Sequence, residues 1–124
     1  MSNCRAEILK YHGGGKVGTL LTKLLDGPQT LSMAYTPGVA LPVQEIASSP
    51  EAVFECTAKR NLVAVVSDGT AILGLGDLGA TASIPVMEGK AVLFKAFGDV
   101  DAWPVPMEFC RQNGDRTGKT DPER

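Results

Sequence analysis

From Leu62 to Ser67 the chain runs LVAVVS, almost all apolar and β-branched, the pattern of a strand covered on both faces. Asp68-Gly69 follows as a tight-turn signal, which makes Thr70–Leu75 the expected return strand of a hairpin. Beyond Pro85 the period changes. At about 100° per residue, Val86, Lys90, Leu93, Phe94 and Phe97 share one side of a helix. The pattern therefore predicts a helix after Pro85 that reaches Phe97, where Gly98 ends it, and then a short strand from Val100 to Trp103.

Upstream, residues 3–11 predict a short helix stopped by His12 and by Gly13-Gly14-Gly15. Three glycines hold no regular element cheaply, so a flexible loop is expected. Val17–Leu25 is an apolar stretch whose type the pattern leaves open, and Asp26-Gly27-Pro28 closes it. Thr30 is placed to cap a short helix through Ala34. Pro37 keeps Thr36 out of helical geometry, so that helix ends near Tyr35. Pro42–Ser48 gives one or two further turns. Ser49-Pro50-Glu51 combines a capping hydroxyl, a first-turn proline and an acid suited to the dipole, which predicts a helix to about Arg60. Alternation of helical and strand patterns makes the fold α/β.

The remaining segment reads differently. From Arg111 the sequence RQNGDRTGKTDPER contains no large apolar residue and cannot help build a core. Thr120 or Asp121, Pro122 and Glu123 announce a helix start just before the last residue, Arg124. Residues 1–105 are thus expected as one domain, and 106–124 as a polar tail, the start of a truncated continuation. With 124 residues in all, one domain with a core of its own is the expectation.

Charge narrows the function classes. Twelve basic and 14 acidic side chains give a net charge of -2, with no basic footprint for nucleic acid. No apolar run has the roughly 20 residues of a membrane helix, and Met1–Arg5 shows no apolar signal region. Cys4, Cys56 and Cys110 are odd in number and widely spaced, as expected of reduced thiols in a cytoplasmic protein.

Two residues stand out as chemistry. Lys90 lies amid the apolar side of its helix, where lost hydration favours the neutral amine that a base requires; the alternative is a lysine whose stem packs while its ammonium reaches water. Lys95 points away, as a solvated lysine should. Tyr35 stands where a helix is forced to stop, so its hydroxyl can be presented as a proton donor; the alternative is a half-buried tyrosine bonded to backbone. Gly74-Leu75-Gly76-Asp77-Leu78-Gly79 matches the dinucleotide fingerprint literally. A hairpin before it and a poor helix start at Thr81–Pro85 argue against that use, and Asp77 reads as a loop-fixing carboxylate. His12 beside the glycines is expected in solvent, and Asp99 and Asp101 read as surface or turn residues.

The sequences AYTPGVA at Ala34–Ala40, GLGDLG at Gly74–Gly79 and Gly89-Lys90 occur in one order. Through them the chain from about residue 7 to 104 resembles the N-terminal domain of malic enzymes of the short microbial type. The resemblance implies a three-layer α/β/α fold with a small mixed or mostly parallel sheet. It implies an oligomeric enzyme that oxidises malate with NAD or NADP and Mg2+ or Mn2+, and releases pyruvate and CO2. Lys90 would be the general base and Tyr35 the general acid. The family's nucleotide domain and metal carboxylates lie further on. Accordingly no cofactor or metal ligand is assigned here, neither is expected to bind tightly to this chain alone, and the isolated chain is expected to be inactive in the redox step. Ala71 stands where long, eukaryotic-type members carry a substrate-binding arginine. Two rivals remain: a non-catalytic dimerising or dicarboxylate-binding module, and a nucleotide-binding protein built on Gly74–Gly79.

Overall fold

The computed structural model describes residues 4–108; Cys110 and the polar tail from Arg111 lie outside the described residues. Helices α1 (Arg5–His12), α2 (Pro28–Ala34) and α3 (Ala40–Ser48) come first. Two 3₁₀ turns, Pro50–Ala52 and Ala58–Arg60, flank α4 (Val53–Cys56). The chain continues as β1 (Leu62–Ser67), α5 (Ala80–Gly98) and β2 (Asp101–Pro106).

β1 has the bounds its apolar run predicts, but its partner differs. It pairs in parallel with β2, Leu62 opposite Asp101 and Ser67 opposite Pro106. Thr70–Leu75 is not a strand, so the expected hairpin is replaced by a β-α-β unit in which α5 is the crossover that parallel neighbours require. The α/β class and the parallel sheet agree with the sequence reading.

Gly69 does turn the chain, at φ 75°, yet it opens a loop and not a hairpin. Leu78 N donates to Gly69 O at 3.1 Å, and Ile72 N to Gly76 O at 3.0 Å. Ile72 is buried and anchors the loop. Gly69 packs so closely on the backbone of Gly79 and Ala80 that a Cβ has no room. Asp68 Oδ1 accepts from Thr70 N and Oγ1. Asp77 Oδ1 accepts from Gly79 N at 3.2 Å, the loop-fixing role expected of it.

α5 begins at Ala80, ahead of Pro85 and not after it. A proline at that depth cannot donate to the carbonyl a turn earlier. Burial offsets this. Ala80, Ser83, Met87 and Ala91 form the buried stripe of the helix, at helical spacing, and α5 packs on both strands, mostly on β2. Ser83 Oγ donates to Ala80 O at 2.6 Å, so the one buried hydroxyl of the stripe is satisfied.

With Val65 and Ile72, the alanines and Met87 complete the apolar core of the described residues. Only Val65 of β1 is buried, and Leu62, Val63 and Val66 are exposed. The expectation of a strand covered on both faces therefore fails, because among the described elements one strand and one helix supply most of its cover.

The predicted helix from Ser49 to Arg60 is interrupted. Ser49 makes no side-chain cap, and Thr57 is extended at φ −137°, ψ 166°. Its hydroxyl donates to Val53 O at 2.6 Å and accepts from Lys59 N, which diverts the backbone from a continuous ladder. Thr30 is not the cap of α2 but its third residue, and its Oγ1 accepts from the backbone N of Asp26 and Gly27. Val17–Leu25 takes no regular structure, with Leu20, Leu21 and Leu24 strongly exposed.

The end of α5 is tied electrostatically. Asp99 takes the left-handed conformation at φ 51° and its N–H donates to Lys95 O. Lys95 Nζ lies 2.7 Å from Asp99 Oδ1 and 3.1 Å from Asp101 Oδ1, joining helix and strand. Hydrogen bonding to Asp99 and then to Asp101 raises the Lys95 pKa, and the bond from Lys95 lowers that of Asp99.

Two outcomes are expected. Gly69→Ala should destabilise the chain by more than about 2 kcal/mol in urea unfolding, since strain at positive φ adds to a backbone clash. Asp99, with its pKa depressed on folding, adds stability that fades as pH falls below about 4, and Lys95, with its pKa raised, adds stability lost as pH rises past about 10.5. In between the pair contributes fully, though modestly, because both groups are exposed. Asp99→Asn should flatten the acid limb of a stability-against-pH curve; an unchanged limb would count against the pairing.

Candidate functional site

Lys90 sits on the side of α5 away from the middle of its buried stripe. With Leu93, Phe94, Phe97 and Gly98 it lines an open groove of about 460 Å³. The apolar neighbours expected from helical spacing are thus present beside it, apart from Val86, which is not part of the lining. The burial is not. Lys90 is exposed, and so are Leu93, Phe94 and, at 86%, Phe97. Among the described residues none covers the amine, so the loss of hydration expected from the sequence requires a further surface over the groove. Lys95 is exposed, as expected, and is also held by its two aspartates.

Tyr35 follows the last residue of α2, as the proline argument predicts, and its N–H closes that helix on Leu31 O at 2.9 Å. Its backbone is fixed a second time, because Val39 N donates to Tyr35 O at 2.7 Å. The side chain is 69% exposed. Gly38 permits the tight return, since a Cβ there would meet Ser32 O at 2.6 Å. Tyr35 is not part of the groove lining, and α2 makes no extensive contact with α5. Among the described residues the two candidates therefore share no groove lining.

One cluster was not legible in advance. Lys16 N donates to Glu88 Oε2 at 3.1 Å, and Lys16 Nζ lies 3.4 Å from the same oxygen. That ammonium also donates to Pro85 O at 3.1 Å and sits 2.8 Å from His12 Nδ1. A lysine ammonium only donates, so His12 Nδ1 is the acceptor. His12 is therefore half-buried and bonded, where solvent was expected. The glycine run is correspondingly a seat for Glu88 and not a slack loop: a Cβ on Gly15 would stand 2.9 Å from Glu88 Oε1. A lysine directly after three glycines was the available signal, but nothing local names a partner 72 residues on.

Both structural grounds for setting aside the dinucleotide fingerprint are overturned, since α5 opens directly after Gly79 and β1-α5-β2 is a parallel β-α-β unit. Spacing and closure speak against it instead. Six residues separate Ser67 from Gly74, whereas the fingerprint turns directly out of its strand. Gly79 N is already taken by Asp77, and Gly79 packs on Gly69. These residues do not fit a pyrophosphate. Nor do the described residues contain a cluster of three His, Cys, Asp or Glu side chains able to hold a metal ion. No helix among them is long and apolar enough to cross a membrane. A second open crevice, about 620 Å³, lies between α3 and α4 beside Leu41, Glu45, Ser48 and Cys56.

Residues 14–122 match the family described as malic enzyme, N-terminal domain. A probable NADP-dependent malic enzyme of Rickettsia prowazekii is 59% identical over 112 residues, covering 83% of this chain and 15% of the relative. An NAD-dependent malic enzyme of Geobacillus stearothermophilus is 53% identical over 97 residues, covering 78% and 20%. The crystal structure of malic enzyme from Pyrococcus horikoshii superposes with a TM-score of 0.80 at 51% identity, over 85% of this chain and 25% of that one. The match extends beyond residue 104, into the tail whose likeness the motifs did not carry. The chain spans a fifth or less of the two curated relatives named, and it belongs to the malic enzyme family through the N-terminal domain.

Proposed function

We propose that this domain supplies the proton-transfer groups of an NAD- or NADP-dependent malic enzyme, which converts malate to pyruvate and CO2. The observation that supports it most is Lys90 at the edge of an apolar groove it shares with Leu93, Phe94 and Phe97. Closing a second surface over that groove would dry the amine, favour its neutral form and let it take the proton of a substrate hydroxyl. Tyr35, with a fixed backbone and an exposed side chain, would return a proton to carbon after CO2 leaves. Nucleotide and divalent metal are implied by the likeness, but the described residues fit neither, so no step is routed through them. Exposed Cys4 and Cys56 accord with a reducing cytoplasm.

Grafting residues 1–124 onto the remainder of the Rickettsia prowazekii relative gives a testable enzyme. Lys90→Ala should lower kcat by about 10²- to 10⁴-fold with KM for malate far less changed, and Lys95→Ala should leave both near their starting values. The isolated chain should form no NADH or NADPH from malate. A fully active Lys90→Ala enzyme would remove the assignment.

Self-association belongs to the same proposal. Leu20, Leu21, Leu24, Leu31, Met33 and Leu41 are all more than half exposed in the helical N-terminal part, more apolar surface than a soluble monomer usually shows. The isolated chain should therefore run as a dimer or larger in light scattering; a strict monomer at high concentration would contradict this.

A further inference from the structure

Lys16 and Glu88 are the most enclosed ion pair among the described residues. Their side chains are 8% and 16% exposed, against 55% or more for every partner in the Lys95 cluster. Such a pair adds little net stability, because desolvation offsets attraction; what it can fix is geometry. Its location gives that geometry a use. Pro85 leaves α5 short of one helical hydrogen bond, which makes the surrounding turn the natural place for the helix to bend. Lys16 takes hold of α5 directly after this break, with Nζ on Pro85 O and on the Glu88 carboxylate. Its backbone N–H holds the same carboxylate, and Gly15, at φ 80°, clears the space for it. Glu88 and Lys90 then lie about 160° apart around the helix. A clamp on one side therefore sets the height and rotation of the amine on the other without touching it.

We propose that Lys16, seated by Gly15 and paired with Glu88, is a positioning residue for Lys90. It ties down α5 just beyond the proline break so that the amine is held at one place in the groove. The proposal rests on the reading of Lys90 as the base.

Two measurements test it. In the isolated chain, Lys16→Met and Gly15→Ala should each speed amide hydrogen exchange across Val86–Lys90 by about 10-fold or more while the β1 and β2 amides keep their protection. In the grafted enzyme the same changes should lower kcat by about 10- to 100-fold, as small misplacements of a catalytic group do, with KM for malate within about twofold. Glu88→Gln, which keeps the shape and loses the charge, should fall between them and wild type. Unchanged exchange and unchanged kcat, alongside an inactive Lys90→Ala control, would overturn the positioning role and leave the Lys90 reading intact. An active Lys90→Ala control would end both. A parallel fall of kcat, strand protection and thermal stability would mean that Lys16 only holds the fold together, which also overturns the proposal.

Discussion

The packing of α5 against the parallel pair β1 and β2 is the constraint from which the rest of this domain follows. Two strands alone do not make a stable sheet in water. Here the helix that connects them also covers them, through small residues at Ala80, Ser83 and Ala91 and the adaptable Met87. Small side chains bring the helix close to the sheet. That closeness lets Gly79 meet Gly69 and shuts the loop between β1 and α5 on itself. The same packing decides which side of α5 remains free, and Lys90 is on it.

This arrangement explains why some elements were legible in the sequence and others were not. The bounds of β1 followed from a run of β-branched residues, and the ends of α1 and α2 from glycine and proline, which act on their immediate neighbours. The partner of β1 did not follow, because Asp68-Gly69 is as good an opening for a closed loop as for a hairpin. What separates the two is Ile72, whose burial depends on packing that no local pattern contains. The start of α5 failed for a related reason. Pro85 argues locally for a first turn, yet the buried stripe begins at Ala80, and tertiary contact outweighs one missing hydrogen bond.

The candidate site shows the same division. Helical spacing placed Lys90 beside Leu93, Phe94 and Phe97, and proline stereochemistry placed Tyr35 at an element end. Both placements hold in the fold. Burial of Lys90 does not hold, because an apolar helical side identifies a surface that wants cover without saying whether the same domain provides it. The relatives are several times longer than this chain, so an uncovered side on a helix of this domain is consistent with an interface still to be formed.

Glycine-rich stretches make the sharper lesson, since both looked like something they are not. Gly13–Gly15 had the composition of a slack linker, and Gly74–Gly79 that of a nucleotide loop. At Gly15 the absence of a Cβ makes room for the Glu88 carboxylate, whereas Gly74, Gly76 and Gly79 supply positive φ in open space, and the missing Cβ that lets the Gly79 backbone approach is that of Gly69. Permissive φ tells where a chain can come close to something. Identifying that something takes a polar group with nowhere else to go. Glu88 is such a group: on a mostly apolar helix, half-enclosed, it needs donors, and among the described residues it finds them in the backbone and ammonium of the lysine that follows the glycines. The pairing across 72 residues is therefore a consequence of burying a charge on α5, and Gly15 is what makes room for it.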